Sequence, residues 1–85
     1  MLIPMNITSQ HVVSALNWID KGGIPLDRRS RQWDLLYDGK RYPPKYVISV
    51  ANRYANRHEL SPDEFTIHQA RPYLKRLGFK IVPKR

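Results

Sequence analysis

Eighty-five residues with 41% hydrophobic side chains, 11% aromatics and no cysteine predict one small folded domain with a modest core and neither disulfides nor thiolate metal sites. The opening Met1-Leu2-Ile3-Pro4-Met5 lacks the basic flank and long apolar core of a signal peptide, and no apolar run approaches the roughly 20 residues that span a bilayer, so the expectation is a cytoplasmic domain with no membrane partner. Fifteen Lys and Arg against seven Asp and Glu give a net charge of +8, a field that draws polyanions, with nucleic acid the first expectation and an acidic protein the second.

Asn6, Thr8 and Ser9 are all N-cap residues, and Val12, Ala15, Leu16 and Ile19 follow at helical spacing. A first helix over residues 9–21 is predicted, closed by Lys21-Gly22-Gly23, with its apolar stripe toward the core. Ile24 to Ser30 reads as a loop. Trp33-Asp34-Leu35-Leu36-Tyr37 and Lys40-Arg41-Tyr42 flank Asp38-Gly39, the signal for a tight hairpin, because a type I′ turn needs positive φ at both central residues. Trp33, Leu35 and Tyr37 alternate onto one face as scaffold, with Asp34 and Leu36 on the other.

Pro43-Pro44 stops the second strand and opens a helix over residues 45–57, with Val47, Ile48, Ala51 and Tyr54 inward. Ser61-Pro62-Asp63-Glu64 has the form of a capping box and predicts a short turn ending at Phe65. Pro72 argues against a long helix, so a last helix is expected from near His68 to Leu77-Gly78. A strand over 79–82 follows, and Pro83-Lys84-Arg85 reads as a frayed tail. The order of helix, hairpin, helix, short helix and strand predicts an α+β fold, a small antiparallel or mixed sheet covered by helices.

Charge concentrates between residues 28 and 57, where eight cations face two acids. Arg28, Arg29 and Arg31 cluster in a loop suited to phosphate contact. Lys40 and Arg41 sit in the hairpin. On the helix after Pro44, Lys45, Ser49, Asn52, Arg53, Asn56 and Arg57 fall on one predicted polar stripe, offering Arg and Asn to base edges and Lys and Ser to phosphates. Tyr42 and Tyr46 flank the prolines and are the aromatics expected to be exposed for contact. Lys45 stands in a first helical turn, where the helix dipole disfavours a cation, an arrangement better explained if an anion comes to that end.

Catalysis finds no support. His11, His58 and His68 lie in three separate segments without metal-ligand spacing, and Gly22-Gly23 follows a helix instead of opening one, so no phosphate-binding glycine loop is formed. His11 reads as a helix-surface residue and His68 as a cap or first-turn residue. The expectation is a non-enzymatic module without metal or cofactor.

The string W-D-L-L-Y-D-G-K-R-Y-P-P-K-Y-V-I-S-V-A over residues 33–51 resembles the G-K-x-Y-P-P-K signature of the N-terminal head domain of McrA-like, modification-dependent HNH endonucleases and related bacterial defence proteins. The I-D-x-x-G-I-P at Ile19 to Pro25 and the L-x-x-L-G-F-x-I-V at Leu74 to Val82 resemble the same family, so the likeness covers nearly the whole chain. It implies a non-catalytic module carried ahead of a modified-DNA reader or nuclease domain, with Lys40, Tyr42, Pro43, Pro44 and Lys45 matching the signature. Relatives often carry a glycine pair after the position of Phe65, where this chain has Thr66-Ile67-His68-Gln69. The resulting expectation is DNA binding, with modified cytosine as target and a nuclease domain or subunit as companion. The alternative is docking to an acidic protein, or self-association, within a defence complex.

Overall fold

The computed structural model describes residues 3–85; Met1 and Leu2, part of the signal-peptide argument, lie outside them. Helix α1 runs Ser9–Gly22. Of its three candidate caps Thr8 is used, accepting from the His11 amide while His11 Nδ1 accepts from the Thr8 N–H at 3.0 Å. A reciprocal box of this kind satisfies two amide donors that the first turn leaves free. Gly23, at φ 79°, ends the helix.

Strands β1 (Trp33–Tyr37) and β2 (Lys40–Tyr42) form the expected hairpin, with Asp38 at φ 52° and Gly39 at φ 77°. Helix α2 is Pro44–Asn56, a 3-10 turn occupies Pro62–Glu64, helix α3 is Ile67–Arg76, and β3 is Lys80–Pro83. The sheet is antiparallel throughout in the order β2-β1-β3, with Leu35 opposite both Tyr42 and Ile81. Period-2 alternation then places Trp33, Leu35, Tyr37, Tyr42 and Ile81 on one face.

Helix α2 is central. It packs along α1, touches α3 and lies over β1. The core gathers Val12, Leu16 and Ile19 from α1, Val47, Ile48 and Ala51 from α2, Leu35, and Leu74 from α3. Burying each of the larger aliphatic side chains stabilises the fold by about 1.5–3 kcal/mol relative to exposure.

Two expectations, the frayed tail and inward Tyr54, need correction. The chain end is not frayed: Pro83 pairs with Trp33, the Lys84 amide donates to Gln32 O at 2.9 Å, and Lys84 Nζ to Ser30 O at 2.8 Å. The last helix falls where it was expected, and Pro72 lies inside it. A helix of ten residues, already nucleated by the Thr66–Gln69 capping box, absorbs the one amide bond that proline removes. That same box makes Thr66 to Gln69 a helix start. Tyr54, expected inward, is exposed because it falls in the last turn of α2, beyond the cover of α1 and the sheet.

Candidate nucleic-acid interface

The prolines after β2 fix the start of α2. Pro43 caps it from extended backbone at φ −70° and ψ 119°, and Pro44 occupies the first turn. No side chain caps this end; Pro43 and Pro44 have no N–H and the Val47 amide bonds to Pro43 O at 3.0 Å, which leaves the Lys45 and Tyr46 amides as the first turn's unpaired donors. Lys45 leaves the same turn, donates from Nζ to Pro62 O at 2.7 Å and lies 5.1 Å over the Phe65 ring. Burial first, then the nearby Arg28 and Arg31 charges, hold its ammonium below the usual lysine range, with Asp63 opposing.

An open cleft of about 770 Å³ lies against this turn. Its lining brings Arg28, Arg29 and Arg31 from the loop together with Lys45, and sets Trp33 and Phe65 among them. Asp27 and Asp63 are its acids. Loop cations and helix start, distant in sequence, therefore meet at one concave surface.

The other expected contacts divide sharply. Arg28 is committed to the fold: Nη2 donates to Ser49 Oγ at 2.7 Å, Nη1 lies 3.7 Å from Glu59, and the guanidinium covers Tyr46. Arg41 pairs with buried Asp34 at 3.0 Å and donates to Pro83 O. Lys40 lies 3.6 Å from Asp20. Arg53 stacks on Trp18 and pairs with Glu59 at 3.0 Å. Arg29, Arg31 and Arg57 are exposed and make no side-chain hydrogen bond or ion pair among the described residues. Arg57 ends α2 at φ 70°, away from the cleft lining.

Four expected contact residues are interior. Tyr42 and Tyr46 are 4% and 3% exposed, and Ser49 and Asn52 are fully buried. The reason is the central position of α2, whose first two turns are buried except at Lys45. Tyr42 spans instead to α1, its hydroxyl donating to Asp20 at 2.9 Å. Desolvation, then the Asp20 bond, pushes the phenol up to about 12. Tyr46 is likewise raised by burial and the Glu59 charge. Asn52 donates to His58 O at 2.9 Å and accepts from Asn56, which exchanges bonds with Asn6. The predicted polar stripe is an internal polar network over half its length.

Cations near the chain end were not singled out from the sequence. Arg71 lies with its guanidinium carbon 3.6 Å over the Trp33 ring. Arg71, Lys75, Arg76 and Lys80 make no ion pair among the described residues. The available signal was the absence of any acid between Phe65 and Arg85. Among the described residues no group of three or more His, Asp or Glu could hold a metal, and no helix is long and apolar enough to cross a membrane.

No curated protein and no solved structure matches the chain significantly. A family model described as ScoMcrA-like, N-terminal head domain matches residues 5–83. With that match over nearly its whole length, the hairpin-to-helix corner at Lys40 to Lys45 included, the chain belongs to the ScoMcrA-like N-terminal head domain family.

Proposed function

We propose that this chain is a non-catalytic DNA-binding module that helps hold an McrA-type restriction nuclease on duplexes carrying modified cytosine. The observation that carries the reading is the cleft: Arg29 and Arg31 unpaired, Lys45 half-buried beside them, and an uncapped helix start behind. A phosphate there meets Arg29, Arg31 and Lys45 together, and its charge offsets the mutual repulsion of those cations. Contacts of this kind position a duplex without reading its sequence. Membership in the head-domain family supports a nuclease as companion, which would perform the cleavage. With Ser49 and Asn52 buried, base-edge readout by the face of α2 is withdrawn, and phosphate contact at its start is retained.

The test is titration of labelled duplexes, plain and carrying 5-methyl- or 5-hydroxymethylcytosine, at 50 and 200 mM salt. Several phosphate contacts predict a steep affinity loss across that range. Arg29→Gln with Arg31→Gln should flatten the salt slope by about 1.8 and leave the melting temperature unchanged, since neither side chain has a partner to lose. Millimolar, salt-independent binding to every duplex by the unaltered protein would sink the proposal. Equal affinity for plain and modified duplexes would remove the modified-cytosine part.

A further inference from the structure

The free positive charge does not stop at the cleft. Trp33, one of its walls, carries Arg71 of α3 on its ring at 3.6 Å. Thr66 and Ile67, which start α3, also line the cleft. With Ala70 and Leu74 buried, the 3.6-residue period puts Arg71 and Lys75 together on the flank of α3 that borders Trp33. Arg76 falls on the opposite flank, over Tyr73.

Two features of this flank lack an internal explanation. Arg71 and Lys75 stand four apart, a spacing at which like charges repel. Neither has an acidic partner among the described residues. The helix dipole accounts for Lys75 and Arg76 in the last turn but not for Arg71 at mid-helix. Moreover, Arg71 Nε is buried with no hydrogen-bond partner. Stacking on Trp33 holds the guanidinium plane in place while leaving its outer N–H groups undirected, the disposition in which Arg forks onto a phosphate.

We infer that Arg71 and Lys75 continue the Arg29–Arg31–Lys45 cleft as a phosphate track along α3, so that a duplex backbone is held at the start of α2 and along the flank of α3, not at one point. The inference rests on the DNA-binding reading above and extends it to residues outside the expected segment. Stacked Arg71 acts as the fixed contact and Lys75 as the mobile one, one turn further on. Backbone contacts of this sort set the orientation of the module on the duplex, and hence of whatever it carries.

The experiment is the salt dependence of duplex binding for the full chain and five variants: Arg71→Gln, Arg71→Lys, Lys75→Gln, the double glutamine variant and Arg76→Gln. Each lost phosphate contact should flatten the slope of log K against log salt by about 0.9 and weaken binding about eight-fold at 0.1 M salt, with no change in preference among sequences. The double variant should therefore lose about 1.8 in slope, and Arg76→Gln nothing. Lys75→Gln guards against a folding artefact, since that side chain touches no partner whose loss could unfold the protein. Arg71→Lys keeps the charge but not the stacked fork, and should fall between Arg71→Gln and the parent. A steep slope in the parent with an unchanged slope in the double variant overturns the track and leaves the cleft standing. Equal losses in Arg76→Gln and Lys75→Gln also overturn it, since the effect would then be net charge. Failure of the parent itself to bind DNA overturns the underlying reading.

Discussion

Tyr42 illustrates how one side chain can serve the scaffold where its type promised contact. Its hydroxyl donates to Asp20 across the gap between β2 and α1, and its ring is buried. Desolvation and that bond raise the phenol from 10.0 to about 12. A folded value above the unfolded one means the native state holds a proton that the unfolded chain has released. The associated stability is complete below pH 10 and is lost as pH rises toward 12. Thermal melts between pH 8 and 12 should therefore fall in midpoint across the upper two units, and Tyr42→Phe should flatten that fall. At pH 7 the substitution should cost about 1 kcal/mol for the lost hydrogen bond. An alkaline limb identical in parent and Tyr42→Phe would reassign the effect to Tyr46 and Tyr73, also raised by burial.

At the scale of the element, α2 separates what periodicity can reveal from what it cannot. Pro43-Pro44 set its start, the Asp38-Gly39 turn set the hairpin before it, and both were legible because they are local backbone chemistry. The burial of Ser49 and Asn52 was not legible, because it depends on Arg28 and the residues after α2 folding back on the helix. Ser49 Oγ accepts from Arg28, the Leu60 amide donates to Ser49 O, and Asn52 holds His58 O. A stripe of polar residues looks the same in sequence whether water or chain meets it. Asn52→Ala is therefore a stability variant. It removes the bond to the His58 carbonyl and one of the two made by the Asn56 amide, which keeps Asn6, at a cost of about 1–3 kcal/mol. Urea unfolding should give that loss while duplex affinity, measured where the variant is fully folded, stays within twofold. A selective loss of affinity without a loss of stability would return Asn52 to the surface.

The whole molecule sorts its fifteen cations into those that hold the fold and those that face outward, and no charge count makes that division. Glu59 is the hinge of the sorting, taking Arg53 at 3.0 Å and Arg28 at 3.7 Å. It neutralises one cation of the cleft wall and one on the α2 surface. Glu59→Gln removes a single negative charge, so that Arg53 loses its ion pair and the Arg28 charge, still held by Ser49, goes unneutralised. Because Glu59 is about one-third exposed and Arg53 still rests on Trp18, solvent screening keeps the stability cost near 1 kcal/mol or less. Binding should move the other way. Duplex affinity at 50 mM salt should rise severalfold, and the salt slope should steepen by up to about 0.9 for each arginine that gains a phosphate. The same variant should show no gain at 1 M salt, where the Debye length falls to about 3 Å and the added field no longer reaches the duplex. A variant that binds DNA no better than the parent at low salt would mean that Arg28 and Arg53 are structural in every state of the protein. In that case the interface would reduce to Arg29, Arg31, Lys45 and the flank of α3.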